Sequence, residues 1–374
     1  MKKILITGGA GFIGSHVALK LLNKGYEVTI LDNLSPQIHG ENGELPSYLN
    51  GKVEFIKGDV RNKEDWRKAL YGQDAVIHLA AETGTGQSMY EIHKYTDVNI
   101  NGTSNLLDIL TNEKHTIKKV IVASSRAIYG EGKYTCKEHG IVYPITRDDI
   151  SMSKGDYECK CPLCGENVKL EATDEESKIQ PTSIYGIAKH TQEQMVLLVC
   201  KAINIPATAF RFQNVYGPGQ SLSNPYTGIL SIFSTRIKNG NEINIFEDGK
   251  ETRDFVYIDD IADAVILGLE KDEANYEVFN VGSGIATDVF TVTDALIKAY
   301  NSNVNVSVSG NYRLGDIRHN YADLTKIEEK LGFKAKIDFQ TGINNFVNWV
   351  EGQDVSEDKY EESIKEMKEK GLYK

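Results

Sequence analysis

Tyr185 and Lys189 frame the stretch YGIAK, and this pair offers clear acid–base chemistry. Residues four apart in a helix lie one turn from each other on the same face. An ammonium group near a phenol favours the phenolate and lowers the pKa of the tyrosine. The pair therefore fits a tyrosine general base that works near neutral pH. Because the pattern alone is common on protein surfaces, its meaning depends on the elements that position it.

A glycine-rich turn, TGGAGFIG, follows the first apolar run and opens a helical pattern. Its glycines fit the Gly-x-Gly-x-x-Gly fingerprint from Gly9 and a close variant that starts at Gly8. Such glycines let the backbone approach a pyrophosphate, and the helix N-terminus adds N–H donors and a positive dipole. Asp32 follows Gly14 by 18 residues and ends the second apolar run. Its carboxylate suits the ribose hydroxyls of adenosine and repels a 2′-phosphate, which predicts NAD rather than NADP.

Short apolar runs rich in Val and Ile alternate with helical patterns in the first part of the chain. Buried strands are predicted at 3–8, 27–32, 53–59, 75–81, 119–125 and 207–212, and helices at about 11–24, 97–113 and 183–203. This alternation predicts an α/β fold with a doubly wound parallel sheet of the Rossmann class. Ligands bind at the carboxyl ends of such strands. The cofactor contacts predicted from position are Gly8, Gly11, Phe12, Ile13, Gly14, Asp32, Asn33, Asp59, Val60, Leu79, Ala80 and Ala81.

The composition limits the partners and the compartment. Of the 374 residues, 40% are hydrophobic and 25% are charged, which is ordinary for a globular protein. The net charge of −11 argues against a nucleic-acid binder, which is usually basic. The first apolar run is too short for a signal peptide, and no run reaches the roughly 18 apolar residues of a membrane span. We therefore expect a cytoplasmic protein with reduced thiols and with no nucleic-acid or membrane partner.

Seven motifs appear along the chain in a fixed order: TGGAGFIG, HLAA, SSRAIYG, YGIAK, RFQNVYGPGQ, RDFVYIDD and NVGSG. With these motifs the chain resembles the extended short-chain dehydrogenase/reductase family, in particular its NAD-dependent nucleotide-sugar epimerases and dehydratases. The resemblance runs from Met1 to about Val350, apart from an insertion at 131–180.

This resemblance assigns roles to individual residues. It implies that Tyr185 is the base, that Lys189 orients it, and that Ser125 bonds the reacting sugar hydroxyl. Tyr185 and Lys189 would also contact the nicotinamide ribose. Asn99 would support the site from a neighbouring helix, and Phe212 would lie near the nicotinamide.

The residues after Ser125 separate the reactions of the family. The 4,6-dehydratases carry an Asp-Glu pair, needed to eliminate water, where this chain has Arg126 and Ala127. The UDP-glucuronate decarboxylases carry a glutamate at the position of Ala127. The non-acidic pair therefore resembles the 4-epimerases, in which hydride leaves C4 of the sugar for NAD and returns to the other face of a 4-keto sugar. The alternatives are a 4-dehydrogenase or a 4,6-dehydratase and, in another class, a non-catalytic NAD-binding scaffold.

Several positions match the family's nucleotide-diphosphate-sugar contacts. Arg253 and Arg313 match positions that bind the diphosphate, because guanidinium groups form paired hydrogen bonds with phosphates. Arg318 is a weaker candidate for the same contact. Arg126 is unusual for the family and is either a contact to an anionic substrate group or a structural arginine. The run Gly84-Thr85-Gly86-Gln87 resembles a subgroup of dTDP-L-rhamnose 4-epimerases more than UDP-galactose epimerases. The predicted substrate contacts are Ser88, Arg126, Asn214, Arg253 and Arg313.

The insertion at 131–180 holds four of the five cysteines. CKEHG (136–140) and CPLCG (161–165) are both C-x-x-[C/H]-G turns, and two such turns supply a tetrahedral Cys3His zinc site. Four protein ligands leave no open position, so the sequence predicts structural zinc that folds an insertion poor in apolar residues. Cys159 is expected to be a bystander, or a replacement for His139. The predicted ligands are Cys136, His139, Cys161 and Cys164.

The predicted domain organisation follows from these motifs. Residues 1–213 form the NAD-binding domain, which returns at about 253–283, and 131–180 form a zinc-ribbon-like insertion. Residues 214–252 and 284–350 form a smaller α/β domain for the nucleotide sugar. The tail at 351–374 is charged and is predicted to be a surface helix or partly disordered. The stripes LLDIL and MVLLVC resemble those that pair helices in dimeric family members, so a homodimer is expected unless both stripes face the sheet.

Overall fold

The computed structural model describes residues 1–41, 43–226, 228–354 and 358–374. The strands are β1 Lys3–Thr7, β2 Glu27–Asp32, β3 Glu54–Lys57, β4 Ala75–His78, β5 Lys119–Ser125, β6 Tyr134–Cys136, β7 Gly140–Val142, β8 Lys169–Leu170, β9 Ala207–Phe212, β10 Asn214–Tyr216, β11 Ile243–Ile245, β12 Thr252–Tyr257, β13 Glu277–Val281, β14 Ala286–Asp288 and β15 Val306–Val308. The helices are α1 Phe12–Asn23, α2 Pro36–His39, α3 Lys63–Leu70, α4 Thr85–Ser88, α5 Ile92–Thr96, α6 Gly102–Asn112, α7 Asp149–Met152, α8 Ile184–Ala202, α9 Ile229–Lys238, α10 Ile258–Glu270, α11 Val289–Tyr300, α12 Thr325–Leu331, α13 Phe339–Glu351 and α14 Tyr360–Glu369.

The main sheet has the strand order β13-β9-β5-β4-β1-β2-β3, and neighbouring strands are parallel. Alternate side chains of β1 enter opposite cores. Ile4 and Ile6 pack with α1 and α10, whereas Leu5 packs with α3, α6 and α8. Helices therefore cover both faces, which confirms the predicted Rossmann fold. The strand order reverses between β1 and β4, the place where such folds bind ligands.

The helix predicted at 97–113 begins earlier than the sequence indicated. Helical turns start at Ile92, and a π-helical turn over Asp97–Asn101 joins α5 to α6. π-turns are rare and often occur at functional sites. This one contains Asn99, one of the residues assigned to the cofactor site.

A second layer lies beside the main sheet. In it β10 pairs in parallel with β12, and β14 pairs antiparallel with β12. Its core contains Tyr216, Phe233 and Phe346. The buried carboxylate of Asp254 accepts backbone N–H bonds from Ser283 at 2.7 Å and fixes β12 beside the main sheet. This fixes the neighbouring Arg253 at the junction of the two layers.

The insertion folds as a small antiparallel sheet in the order β7-β6-β8. Ion pairs connect it to the rest of the chain. Arg147 contacts Glu131 within the insertion at 3.3 Å and Glu247 outside it at 2.8 Å, and Arg318 contacts the half-exposed Glu158 at 2.7 Å. These pairs tie the insertion to the second layer.

The C-terminal tail forms α14, and its inner face is buried. Tyr360, Ile364, Met367 and Tyr373 are each 4–7% exposed and pack together against the second layer. The prediction of a surface helix is therefore right in type, but the expectation of partial disorder does not describe residues 358–374. In the described part of the chain, no helix is long and apolar enough to span a membrane.

Candidate active site and metal centre

The glycine-rich turn is packed so tightly that larger residues would not fit. Gly8 has φ +67°, and a Cβ there would lie 2.8 Å from the Ala80 backbone nitrogen. A Cβ at Gly14 would lie 2.3 Å from the Gly8 carbonyl oxygen. The turn therefore brings the start of α1 against the carboxyl end of β4, where Leu79 and Ala81 flank Ala80.

The groups around this turn fit a dinucleotide. Helix α1 begins after Gly11, with no side-chain cap from the described residues, so the N–H groups of its first turn, at Phe12 and Ile13, receive no capping hydrogen bond. Asp32 is 8% exposed at the end of β2, and its carboxylate accepts the N–H groups of Ala10 at 3.0 Å and Leu34 at 2.9 Å. These contacts aim the carboxylate at the turn. Uncapped donors, an acid at the end of β2 and a close glycine approach are what NAD requires.

Asn33 follows β2 and Asp59 follows β3, and their side chains are in contact. The Asn33 amide donates to Asp59 at 3.0 Å. Burial raises the pKa of Asp59, but hydrogen bonds from Arg61 outweigh burial and lower it to about 2. Asp59 is therefore a carboxylate at neutral pH, and Val60 beside it packs against Gly102.

Asn99 is fully buried and holds the chain after β4. Its amide accepts the Glu82 N–H at 2.8 Å and donates to the Glu82 carbonyl at 3.1 Å. The predicted supporting residue thus acts on the loop that follows Ala81. It shapes the cofactor side of the site through the backbone.

Tyr185 and Ser125 come together from different elements. Ser183 caps α8 by accepting the Gly186 N–H, which fixes Tyr185 in the first turn of the helix. Ser125 ends β5 and pairs in register with Phe212 of β9. The Ser125 hydroxyl lies near enough to the Tyr185 hydroxyl to influence its pKa. Burial raises the pKa of Tyr185, while the nearby Ser125 hydroxyl and the charge of Arg126 act in the opposite sense.

Lys189 lies one turn from Tyr185 on α8, and its ammonium group contacts a glutamine. It donates to Gln192 Oε1 at 2.9 Å, one turn further along the helix. Burial lowers the pKa of Lys189 to about 7. The groups that lower the pKa of Tyr185 here are Ser125 and Arg126. The effect of Lys189 on the Tyr185 pKa beside a bound nicotinamide stays a prediction.

Ser88 fixes the backbone of Tyr185. It is fully buried, accepts the Tyr185 N–H at 3.1 Å and donates to the Thr85 carbonyl at 2.6 Å. The Tyr95 ring meets the Tyr185 ring edge-on at 6.5 Å. Because both Ser88 bonds go to backbone groups, this predicted substrate contact positions the first turn of α8.

Arg126 points between the tyrosine and the second layer. Its Nε donates to Asn214 Oδ1 at 2.6 Å. Burial, and then the nearby charge of Arg253, lower the pKa of Arg126 to about 9. Among the described residues no carboxylate forms an ion pair with Arg126, so the guanidinium is a partly buried cation next to Tyr185, and the negative charge of Asp316 acts on it without a direct contact.

Asp316 organises the other arginines. It contacts Arg253 at 3.2 Å and Arg313 at 3.1 Å. Burial raises the pKa of Asp316, but the surrounding guanidinium groups outweigh burial and lower it to about 2. Arg313 keeps a buried Nε that has no hydrogen-bond partner among the described residues, whereas Arg253 also donates to the carbonyls of Thr252, Ile317 and Arg318.

Arg318, the weaker diphosphate candidate, has its guanidinium occupied elsewhere. It is fully buried and contacts Glu158 at 2.7 Å, Glu247 at 2.9 Å and Asp248 at 2.7 Å. Its charge is therefore balanced within the chain. Its place in the structure is the link between the insertion and the second layer.

The four predicted metal ligands converge in the insertion. The ligand atoms of Cys136, His139, Cys161 and Cys164 lie within 4.8 Å of one another. Cys136 Sγ lies 3.7 Å from Cys164 Sγ, and His139 Nδ1 lies 3.5 Å from Cys136 Sγ and 3.7 Å from Cys161 Sγ. Ligands at about 2.0–2.3 Å around a tetrahedral zinc are about 3.5–3.8 Å apart. The closing residues Gly140 and Gly165 have φ of +66° and +77°, which only glycine adopts readily.

Cys159 lies outside this group. It is buried at 2% exposure, beside Tyr134 and Glu131. Burial raises the pKa of its thiol well above the usual range. It is therefore a neutral thiol in the small core of the insertion.

Sequence reasoning missed three residues of this site. Asp316 stands three positions after Arg313, and Gln192 three positions after Lys189, so ion-pair and helix spacing could have indicated both. Tyr95 left no comparable signal, because it reaches Tyr185 from a separate helix.

The model of the "NAD dependent epimerase/dehydratase family" matches residues 4–147 and 161–282. The chain is similar to a dTDP-L-rhamnose 4-epimerase from Burkholderia thailandensis, with 37% identity over 93% of this chain and 95% of that protein. It is also similar to the crystal structure of UDP-glucose 4-epimerase from Thermotoga maritima with UDP-glucose, with 32% identity, a TM-score of 0.74, and coverage of 93% and 98%. UDP-glucuronic acid 4-epimerase from Bacillus cereus, in complex with UDP-glucuronic acid and NAD, gives a TM-score of 0.76 at 26% identity over 93% and 99%.

Proposed function

Because this chain belongs to the NAD-dependent epimerase/dehydratase family, we propose that it inverts C4 of a nucleotide sugar through a transient 4-keto sugar. The observation that carries the proposal is that Ser125 and Tyr185 lie close together, next to Arg126 and Ala127. The pair provides a base for a hydroxyl proton. The two following positions lack the acids that a dehydratase needs.

The chain's own groups would handle the proton. Tyr185 would take the proton of the C4 hydroxyl, and the Ser125 hydroxyl would hold the sugar oxygen by a hydrogen bond. When bound at the glycine-rich turn, NAD would supply the acceptor and donor for the C4 hydride. Lys189, with its pKa lowered to about 7, would bond the nicotinamide ribose after release from Gln192.

The charges around Asp316 suit a diphosphate. Arg126, Arg253 and Arg313 carry three positive charges and Asp316 one negative charge, which leaves two positive charges. A nucleotide-sugar diphosphate carries roughly two negative charges and binds guanidinium groups by paired hydrogen bonds. We assign Arg313, with its unpaired Nε, and Arg126 to direct contacts, and Arg253 to holding their loop.

The proposed substrate is a dTDP-linked 6-deoxyhexose, with UDP-hexoses as competitors. The Burkholderia relative and the Gly84–Gln87 run favour the dTDP sugar. Purified protein would be incubated with dTDP-L-rhamnose, UDP-glucose and UDP-glucuronic acid, and the products followed by NMR. We expect the C4 epimer without net NADH. Stoichiometric NADH would favour a 4-dehydrogenase, and a product lighter by one water would favour a dehydratase.

The runner-up from another class is a non-catalytic NAD-binding scaffold. It predicts that Tyr185→Phe keeps the biological activity of the protein. The intact set of Ser125, Tyr185 and Lys189 favours the enzyme.

We also propose that Cys136, His139, Cys161 and Cys164 bind a structural zinc ion. The sulfur–sulfur and sulfur–nitrogen distances of 3.5–3.7 Å support it. Elemental analysis of purified protein is expected to give about one zinc per chain. A metal-free preparation that is fully folded would contradict this assignment.

A homodimer through α8 is the proposed assembly. The four apolar residues of LLDIL in α6, including Leu106 and Ile109, are buried within the chain and pack with strands of the main sheet. Helix α8, however, exposes Ile187 at 48% and Leu198 at 73%, three turns apart on one face. Light scattering should give a dimer for the wild type and a monomer for Leu198→Glu. A monomeric wild type would refute the pairing.

A further inference from the structure

We propose that residues 358–374, called here the C-terminal strap, position the substrate-binding side of the site; this proposal rests on the proposed nucleotide-sugar function. The strap comprises α14 and the residues that follow it. It contacts the segments on both sides of the candidate substrate site.

On one side the strap contacts the loop next to the catalytic tyrosine. The Tyr90 hydroxyl donates to Glu366 Oε2 at 3.0 Å. The Met367 sulfur lies 3.5 Å from the position that a Cβ of Gly86 would take. Gly86 belongs to α4, and Ser88 at the end of α4 accepts the Tyr185 N–H at 3.1 Å. A chain of direct contacts thus connects the strap to the base.

On the other side the same glutamate contacts the second layer. The Tyr226 hydroxyl donates to Glu366 Oε2 at 2.5 Å. Burial, and then Glu366, raise the pKa of Tyr226 to about 12, so its hydroxyl keeps the proton that it donates. One carboxylate oxygen therefore joins Tyr90 on the Rossmann side to Tyr226 on the other side.

The end of the strap pairs with the backbone around Arg313. The Tyr312 N–H donates to the Lys374 carbonyl at 2.8 Å, and the Leu314 N–H donates to the Leu372 carbonyl at 3.0 Å. Between them, the Tyr373 ring meets the Phe246 ring at 5.2 Å. The Arg313 guanidinium lies 5.2 Å above the same Phe246 ring. The strap therefore fixes the backbone and the side-chain environment of the proposed diphosphate contact.

These contacts join three parts of the site that do not otherwise belong to one element: α4, the loop at Tyr226 and the segment 312–314. Loss of these strap contacts should change the affinity for the substrate more than the rate of the chemical step, because the strap contacts Ser125 and Tyr185 only through other residues. Glu366 and Tyr373 are therefore positioning residues. They are expected to alter KM for the nucleotide sugar more than kcat.

The test compares Glu366→Ala and Tyr373→Ala with the control Glu362→Ala, which changes an exposed residue of the same helix. Glu366→Ala is expected to raise KM about fivefold or more with kcat within about twofold. Tyr373→Ala is expected to weaken binding of dTDP or UDP, measured by calorimetry, by about fivefold. NAD content should be unchanged in all three variants.

The outcomes separate this proposal from the function itself. If the wild type makes the C4 epimer and both variants match Glu362→Ala in KM and nucleotide affinity, the strap proposal is overturned. A loss of kcat at unchanged KM overturns it as well. If the wild type makes no epimer but Tyr373→Ala still weakens dTDP or UDP binding relative to the control, the 4-epimerase proposal fails and the strap proposal stands.

Discussion

The Rossmann sheet and the Cys-rich insertion reach a fixed structure by different means. Strands of the sheet place apolar side chains into two extended cores, one on each face. The insertion buries a small cluster in which Cys136, Cys159 and Cys161 stand beside Tyr134 and Val142. Burial of apolar surface stabilises the first region, whereas the second depends on four converging ligands and on buried ion pairs.

The two regions therefore have different roles: the Rossmann sheet carries the proposed catalytic residues, and the insertion supports the fold around them. Tyr185 and Ser125 lie on elements of the sheet and its helices. The insertion contacts the surroundings of the site through Arg147, which donates to the Asp316 carbonyl at 3.0 Å, and through the ion pair of Glu158 with Arg318. Damage to the catalytic pair should therefore abolish turnover in a folded protein, whereas damage to the insertion should first change stability.

The largest expected effect is that of Tyr185→Phe. Removing the base should lower kcat by about 10³-fold, because general-base catalysis contributes about 10²–10⁴-fold. The melting temperature should change little, since the ring contact with Tyr95 remains. Steady-state kinetics measure the effect. Tyr95→Phe, which loses hydrogen bonds to the Thr83 carbonyl and to Gln87 Oε1, is the matched control and should keep kcat within about threefold. Equal losses in both variants would remove Tyr185 from the role of base.

Cys161→Ser tests the other region. It should release the zinc and lower the melting temperature by more than about 5 °C, because the insertion has little apolar core to replace the metal. Cys159→Ser changes a buried thiol outside the ligand group and should keep about one zinc per chain. Elemental analysis and differential scanning calorimetry provide the readouts. If Cys159→Ser loses the zinc and Cys161→Ser retains it, the ligand assignment is wrong.

A smaller effect concerns the loss of folding stability caused by burying the charged Lys189. Its pKa is lowered to about 7, below the usual unfolded value of about 10.4. Below about pH 7 the lysine is charged in both states, and the burial cost is fully present. Between about pH 7 and 10.4 the folded state binds fewer protons, so stability rises with pH. The stability gain of Lys189→Met should therefore be about 2 kcal/mol larger at pH 6 than at pH 9.

Urea unfolding at the two pH values measures this difference. The variant should also be inactive, because the ribose contact is lost. A gain of equal size at both pH values would mean that burial does not lower the pKa of Lys189 in the folded protein.

Local patterns predicted most of the fold. The strands Glu27–Asp32, Lys119–Ser125 and Ala207–Phe212 have the bounds expected from their apolar runs. Such runs are buried on both faces, so their limits are marked by the first polar or glycine residues. The glycine turn and the tight Cys and His turns were predictable for the same reason, since each is coded within a few residues.

What the sequence could not show depends on contacts between distant residues. Local spacing offers Asp316 as a partner of Arg313 and Gln192 as a partner of Lys189, but it does not indicate that Asp316 also contacts the distant Arg253. The charged tail misled for a related reason: Tyr360, Ile364 and Met367 form a buried stripe only because the second layer offers a surface to receive it. Burial of a short amphipathic helix is decided by its partner.

The most direct test of the proposed reaction uses a nucleotide sugar labelled with deuterium at C4. The purified protein would be incubated with labelled dTDP-L-rhamnose or UDP-glucose, and the products analysed by NMR and mass spectrometry. The account predicts a mixture of both C4 epimers, with the deuterium retained at C4 and no NADH in solution. Loss of the label to NADH in solution, or a product lacking one water, would contradict a 4-epimerase.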